Sequence, residues 1–227
     1  MKKILITFLV TGSLYAYNGG INIGGIDMDN TGLNIIKGSG KIVQKRFNLE
    51  NCNKIKIDAS IDIIIEKSSK SEYIITTDDN LINVIGVENR AGTLVVSSKQ
   101  SYQTNSNPKI VIKVKQLNNL TVEGGANIKL KNLNETYLTI NIDGAIEMKT
   151  LSGNVNTLNI NVDGAYDVDL SNLKAKNATV IMRGSGDLKV NVSQKLDARV
   201  SDNGYLLYTG TPLIVKDVTD NGYIEKN

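Results

Sequence analysis

Glycine returns along this chain at a fixed interval: Gly124, Gly144, Gly164, Gly184 and Gly204 stand twenty residues apart, and Gly222 follows after eighteen. The residues around each glycine keep their class at every return. Four places before it stand Leu120, Ile140, Ile160, Val180, Val200 and Val218. Two places before it stand Val122, Ile142, Val162 and Met182, until Asp202 and Asp220 break the column, and four places after it come Ile128, Met148, Val168, Leu188 and Tyr208. Polar residues such as Thr121, Asn141, Asn161 and Ser201 fill the alternate positions. Alternation with period two marks strands with one buried face. A meander of hairpins would alternate too, but it would not return the same residue class at a constant interval. Coils of about twenty residues stacked on one another, a parallel β-helix or solenoid, satisfy both patterns. The repeated glycine suits a corner, where a sharp change of strand direction calls for positive φ. The expected fold is therefore all-β, with Gly124, Gly144, Gly164, Gly184, Gly204 and Gly222 as structural corners.

Residues 116–227 carry the regular coils, and residues 41–115 form an irregular, capping part of the same single domain. Within it, Ile55, Ile57, Asp58, Ala59, Asp62 and Ile63 match the columns if Ala59 takes the glycine place, which makes a first coil. Strands over 73–77, 93–97 and 109–115 surround a loop at 99–107 that does not fit the twenty-residue register. They are expected to be an antiparallel excursion covering one end of the helix, where an edge strand would otherwise lie open. Pro108 and Pro212 fall at strand starts, where a missing N–H is tolerated. The glycine-rich residues 17–40 show no period and are expected to form a flexible leader.

Before that leader, Met1-Lys2-Lys3 precedes an apolar run over 4–14 and the small Ala16. A positive start, a short apolar stretch and a small residue at the cut define a secretory signal peptide over 1–16. Eleven residues are too few to span a bilayer, which takes about 20. No transmembrane segment is expected after cleavage, and the location is extracytoplasmic, in the periplasm or at the cell surface. Composition narrows the chemistry further. Histidine is absent, which removes Ser-His-Asp, Cys-His and His-ligated metal mechanisms, and the single Cys52 excludes disulfide scaffolds. Charged residues make up 22% with a net charge of only +3, and lysines are interleaved with Asp and Glu, so nucleic acid is not an expected partner. No phosphate loop, nucleotide fingerprint or zincin motif occurs, and neither a cofactor nor a metal is expected. The 28 asparagines suit amide ladders between coils.

The stretch Arg183-Gly184-Ser185-Gly186-Asp187, then Asp202-Asn203-Gly204, Tyr208-Thr209-Gly210-Thr211-Pro212 and Asp220-Asn221-Gly222 resembles the GIN domain of auto-transporter adhesin heads. The resemblance runs over about 47–224. It departs from the family's Gly-Ser-Gly corner at Asp143-Gly144-Ala145 and Asp163-Gly164-Ala165. The resemblance implies a right-handed β-helix and an extracytoplasmic, adhesion-like role, and it carries no catalytic residues over.

Three sets of residues are candidates for a site. One place before the glycines runs Glu123, Asp143, Asp163, Arg183, Asn203 and Asn221. Stacked coils set such neighbours ~4.8 Å apart, where two carboxylates in water repel by ~0.9 kcal/mol. A calcium site or a carboxylate pair for polysaccharide cleavage would use that column. The plainer expectation is Asx-turns, with Arg183 neutralising Asp163; calcium takes about six to eight oxygens and the column offers few. Three places after the glycines, Asn127, Glu147, Asp167 and Asp187 lie beside Lys129, Lys149, Asp169 and Lys189, the pattern of a solvated sheet face. Tyr205, Tyr208 and Tyr223 cluster in the last coils. Tyr205 and Tyr223 should touch and are expected mainly to cap the core, with a ligand or partner face as the other role. The function expected is an exported, non-catalytic binding, adhesion-like or envelope-structural module whose partner is a glycan or an envelope protein. The alternative is a carbohydrate-active enzyme, a polysaccharide lyase or glycoside hydrolase, using Asp or Glu on the coil surface; a deep groove holding two carboxylates would mark it.

Overall fold

A computed structural model describes residues 35–50 and 52–227. The expected signal peptide, 1–16, and the first part of the expected leader lie outside the described residues. All described regular structure is β, and among the described residues no helix is long and apolar enough to cross a membrane. In chain order the strands are β1 (Ile36–Lys37), β2 (Ile42–Asn48), β3 (Lys54–Asp58), β4 (Asp62–Lys67), β5 (Glu72–Asp78), β6 (Ile85–Arg90), β7 (Thr93–Ser98), β8 (Tyr102–Gln103) and β9 (Lys109–Val114). The coils follow as β10 (Asn119–Lys131), β11 (Leu133–Thr150), β12 (Gly153–Met182), β13 (Ser185–Val200), β14 (Asn203–Thr209), β15 (Leu213–Val218) and β16 (Tyr223–Lys226).

The chain is a β-solenoid. β10, β11 and the first half of β12 stack in parallel at an offset of twenty, so Leu120 pairs Ile140 and Ile140 pairs Ile160, each at most 1% exposed. Like apolar side chains stack into columns, and the corner glycine is what lets the coils approach. Gly144 has φ +143, and a Cβ there would lie 2.3 Å from the carbonyl oxygen of Gly124. Gly124, Gly164 and Gly184 also have positive φ.

Beyond Gly184 the register departs from the twenty-residue expectation. Leu170 still pairs Val190, but Lys174 pairs Asn191 and Asn177 pairs Lys195. The turn therefore shortens to eighteen, and Ser185 pairs Asn203 while Gly186 pairs Gly204. Gly204 and Gly222 are not corners: positive φ falls on Asp202 (57°) and Asp220 (55°). Asp tolerates the left-handed region better than most residues, and the Asp202 carboxylate accepts the Gly184 N–H at 2.9 Å.

At the other end the irregular part is mixed. β7 and β9 lie parallel on β3 and β4 and add one more rung to the stack, rather than standing wholly antiparallel as expected. Antiparallel β6 then closes β7, while β5 and β2 close β9. The end of the expected leader, residues 35–40, is tied down: β1 pairs β8, Gly40 N–H donates to Asp78 at 2.6 Å, and Ser39 N–H donates to Asn80. Asp78, 1% exposed, also accepts the Thr104 and Ser106 hydroxyls. Those hydroxyls, with the Gly40 N–H, hold its carboxyl below the usual range. Glu72 is held low as well, first by Lys113 and then by Arg46. A carboxylate with a lowered folded pKa stabilises the fold above its unfolded value and stops doing so as pH falls through the folded one. Hydrogen exchange measured as pH is lowered below ~4, where free carboxylates protonate, is expected to show β1, β2 and β8 losing protection before β11 and β12.

The last rung, β15 and β16, puts Ile214, Lys216, Val218, Ile224 and Lys226 at inward positions, in register with Leu196, Ala198, Val200, Leu206 and Tyr208. Lys216 and Lys226 are exposed; a lysine at such a position can lay its stem on apolar surface with its ammonium group in water. Tyr208 turns inward and packs on the core with Ile214 and Ile224. Tyr205 and Tyr223 point outward, and Tyr223 is 54% exposed, so the capping expected of these two tyrosines falls instead to Tyr208, Ile214 and Ile224.

Candidate functional site

Asp143 and Asp163 are in register on neighbouring rungs, both exposed, with Glu123 one rung before them. Outward positions of parallel strands can only form such files, because a side chain two residues away returns to the same face. Glu123 is held by Lys56 at 2.7 Å. Asp143 and Asp163 have no ion-pair partner among the described residues. The expected neutralisation of Asp163 by Arg183 is thus not formed, and among the described residues neither carboxylate accepts a hydrogen bond from the turn at the positive-φ glycine that follows it. Beside them Asn161 donates its amide to Asn141 at 2.9 Å, as the asparagine content suggested. Thr121, Glu123, Asn141, Asp143, Asn161, Asp163 and Arg183 line a groove of about 200 Å³. Ligand pockets usually measure ~300–1,000 Å³. The groove falls below that range, and Val122, Ile142, Val162 and Ile181 complete its lining.

Tyr205 and Tyr223 lie across the corner from that groove. Their rings stack at 5.4 Å between centroids and 3° between planes. The Tyr205 hydroxyl donates to Glu225, whose carboxylate pushes the phenol up to about 12. On the other flank the Asn221 amide donates to Asn203 at 3.1 Å, and Asp187 precedes Tyr205 in its file. The structure therefore separates the six ligand-face candidates: Asp143, Asp163 and Arg183 share the groove, Tyr205 and Tyr223 share an aromatic patch, and Tyr208 joins the core. Asn203, Asn221 and Glu225 escaped the sequence reading of the patch. Their signal was the eighteen-residue offset that also relates Tyr205 to Tyr223.

Two other polar groups are structural. Cys52 is buried, its thiol donates to the Lys54 carbonyl at 3.1 Å, and burial pushes its pKa up, so it is a poor nucleophile. Tyr166, 5% exposed, is pushed up to about 12, by burial first and then by Asp202, Asp163 and Asp187. Its hydroxyl has no hydrogen-bond partner among the described residues. Among the described residues no group of three or more Asp, Glu or Cys is placed to hold a metal ion.

A solenoid with an apolar core and polar files on its outer faces is a repeat architecture in which each rung packs on its neighbours. Residues 51–212 match the family model described as "Putative auto-transporter adhesin, head GIN domain", and the chain belongs to that family. Among solved structures it is similar to a "putative adhesin" from Bacteroides fragilis, with TM-score 0.65 and 23% identity over 85% of this chain and 100% of that one. A "putative lipid binding protein" from Parabacteroides distasonis follows with TM-score 0.53 and 22% identity, covering 85% and 99% of the two chains. A "putative adhesin" from Parabacteroides merdae gives 0.50 and 20%, covering 85% and 98%. These likenesses establish the shared fold. No protein of curated function matches the sequence.

Proposed function

We propose that this protein is an exported, non-catalytic binding module of adhesin type that meets a glycan or an envelope protein through its outer faces. The observation that carries this reading is the setting of Asp143 and Asp163. Acid–base cleavage of a glycosidic bond needs two carboxyls in unlike surroundings, one holding a proton while the other is ionised. These two occupy equivalent exposed positions one rung apart, in a groove of about 200 Å³, below the ~300–1,000 Å³ usual for ligand pockets. Family membership and the names of the similar Bacteroides and Parabacteroides proteins support an adhesive role. The sequence at 1–16 supports export, and N-terminal sequencing of the envelope protein is expected to begin at Tyr17.

The test is a screen of the mature protein against arrayed glycans and envelope fractions, with reducing-end and unsaturated-uronate assays for cleavage. Binding without turnover is the expected result. Asp143→Asn and Asp163→Asn are expected to leave binding unchanged and to raise the thermal midpoint slightly, since each removes a repulsion worth ~0.9 kcal/mol or less. Cleavage of a polysaccharide that either substitution abolishes would replace this reading with the carbohydrate-active one.

A further inference from the structure

The geometry points to a pyranose-binding site at the aromatic patch on β14 and β16, in which the exposed ring of Tyr223 takes the C–H face of a sugar and its polar neighbours take the hydroxyls. This inference rests on the binding-module reading and adds a place and a ligand class to it. A sugar-binding surface needs a rigid apolar plate, beside it donors and acceptors in fixed positions, and little ordering on binding. All three are present.

The plate is set by the fold. Tyr205 and Tyr223 are paired residues of neighbouring rungs, so the rings lie parallel, 3° apart, and each limits the rotation of the other. Tyr205 covers one face of the Tyr223 ring, and Tyr223 remains 54% exposed. A side chain held by stacking yet this open has lost its rotamer freedom without hiding its surface. Leucine or valine at the same place would bury about as much on a partner but would offer no flat face to ring C–H groups.

The polar frame is set in the same way. Glu225 is fixed by the Tyr205 hydroxyl and keeps a second carboxylate oxygen as acceptor. Asn221 and Asn203 form an amide pair on the opposite flank, leaving one amide oxygen on Asn221 and one amide NH₂ on Asn203. Asp187 stands two rungs before Tyr223, behind the Tyr205 ring, and lies outside this frame. A sugar hydroxyl both donates and accepts, and a frame holding a carboxylate with amides satisfies both. Peptide partners are disfavoured because the patch is a plate without a cleft. An anionic ligand is disfavoured because the charged side chain of this frame, Glu225, is acidic.

The experiment uses the mature protein and methyl glycosides of glucose, galactose, mannose, xylose and N-acetylglucosamine, with their short homo-oligomers, titrated by calorimetry and saturation-transfer NMR. At least one is expected to bind with transfer to tyrosine ring protons. Tyr223→Ala is expected to weaken it about tenfold or more, the size usual for a central aromatic anchor. Tyr223→Phe, which keeps the plate, is expected to stay within about twofold, and Glu225→Gln to lose several-fold. Thermal midpoints measured alongside show that each variant is folded; for one that is not, Tyr223→Leu supplies the same loss of flatness. Absence of binding by every sugar overturns the inference, as does full binding by the alanine variant. If the glycan screen stays positive while Tyr223→Ala binds normally, this site falls and the binding-module reading stands. Cleavage in that screen removes the reading itself.

Discussion

Replacing Gly186 by alanine is expected to lower the thermal midpoint by about 8–16 °C, corresponding to roughly 4 kcal/mol in a domain of this size. Gly186 has φ +150, and a Cβ there would stand 1.9 Å from the carbonyl oxygen of Tyr166 and 2.8 Å from its carbonyl carbon. No rotamer change relieves a contact with the backbone of the neighbouring rung, so the stack itself must open. Three glycines form a graded comparison. Gly40, with φ +80 and nothing within 4 Å of its Cβ position, should lose only the strain of the left-handed region, ~1 kcal/mol. Gly204 lies between: its Cβ would meet the Tyr166 hydroxyl and Val200 Cγ1 at 3.1 Å, side-chain atoms that can give, and the Ser201 carbonyl oxygen at 3.3 Å. The reason these two positions lack side chains is Tyr166. Its inward file runs Ala126, Ile146, Tyr166, Gly186 and Gly204, so one large ring fills the space left by the two residues after it. Tyr166→Phe should therefore relieve part of the Gly204→Ala defect and none of the Gly186→Ala defect. By itself it removes an unpaired buried hydroxyl and should be neutral or stabilising. Equal midpoints for Gly40→Ala and Gly186→Ala in thermal unfolding would refute the stacking account.

The same file shows what the sequence could reveal. From Gly124 to Gly184 each coil has one length, so a simple interval exposes the fold. The shortening between Leu170 and Asn177 is invisible because Gly204 follows Gly184 at twenty and so mimics one more regular return. A shift of two residues also preserves every side chain's face. Tyr205 and Tyr223 are outward under either register, and parity alone placed the cap on Tyr208, Ile214, Lys216, Ile224 and Lys226. In β7 and β9 the alternation of Leu94 with Val96 and of Ile110 with Ile112 announced strands, but not their direction, since parallel and antiparallel ladders alternate alike. The candidate site was legible as residues and illegible as groups. Whether Arg183 would reach Asp163, and whether an amide pair would flank the tyrosines, depends on rotamers and on the eighteen-residue turn.

The second large effect is expected at Lys67, where the substitution Lys67→Met should destabilise the protein by about 3–5 kcal/mol. Glu135 stands in register with Val155, a core residue 3% exposed, and its own side chain is only 2% exposed. It is an acidic residue in an apolar file. Lys67, at the end of β4, makes that tolerable: its ammonium lies 2.9 Å from the Glu135 carboxylate and also donates to the Asn134 carbonyl. The two partners are unequal, because the Lys67 side chain is 29% exposed and can turn to water, whereas Glu135 cannot. Removing the lysine leaves a charge in the core; removing the glutamate leaves a lysine near the surface. Glu135→Val should then cost little, and the double variant Lys67→Met with Glu135→Val should match or exceed the parent, as replacements of buried pairs by packed apolar side chains often do. Chemical denaturation of the four proteins closes the cycle, and a coupling energy of about 3 kcal/mol is the expected reading. Additive single effects would mean that the carboxylate is solvated in the folded protein and that the ammonium stabilises it through the Asn134 carbonyl alone.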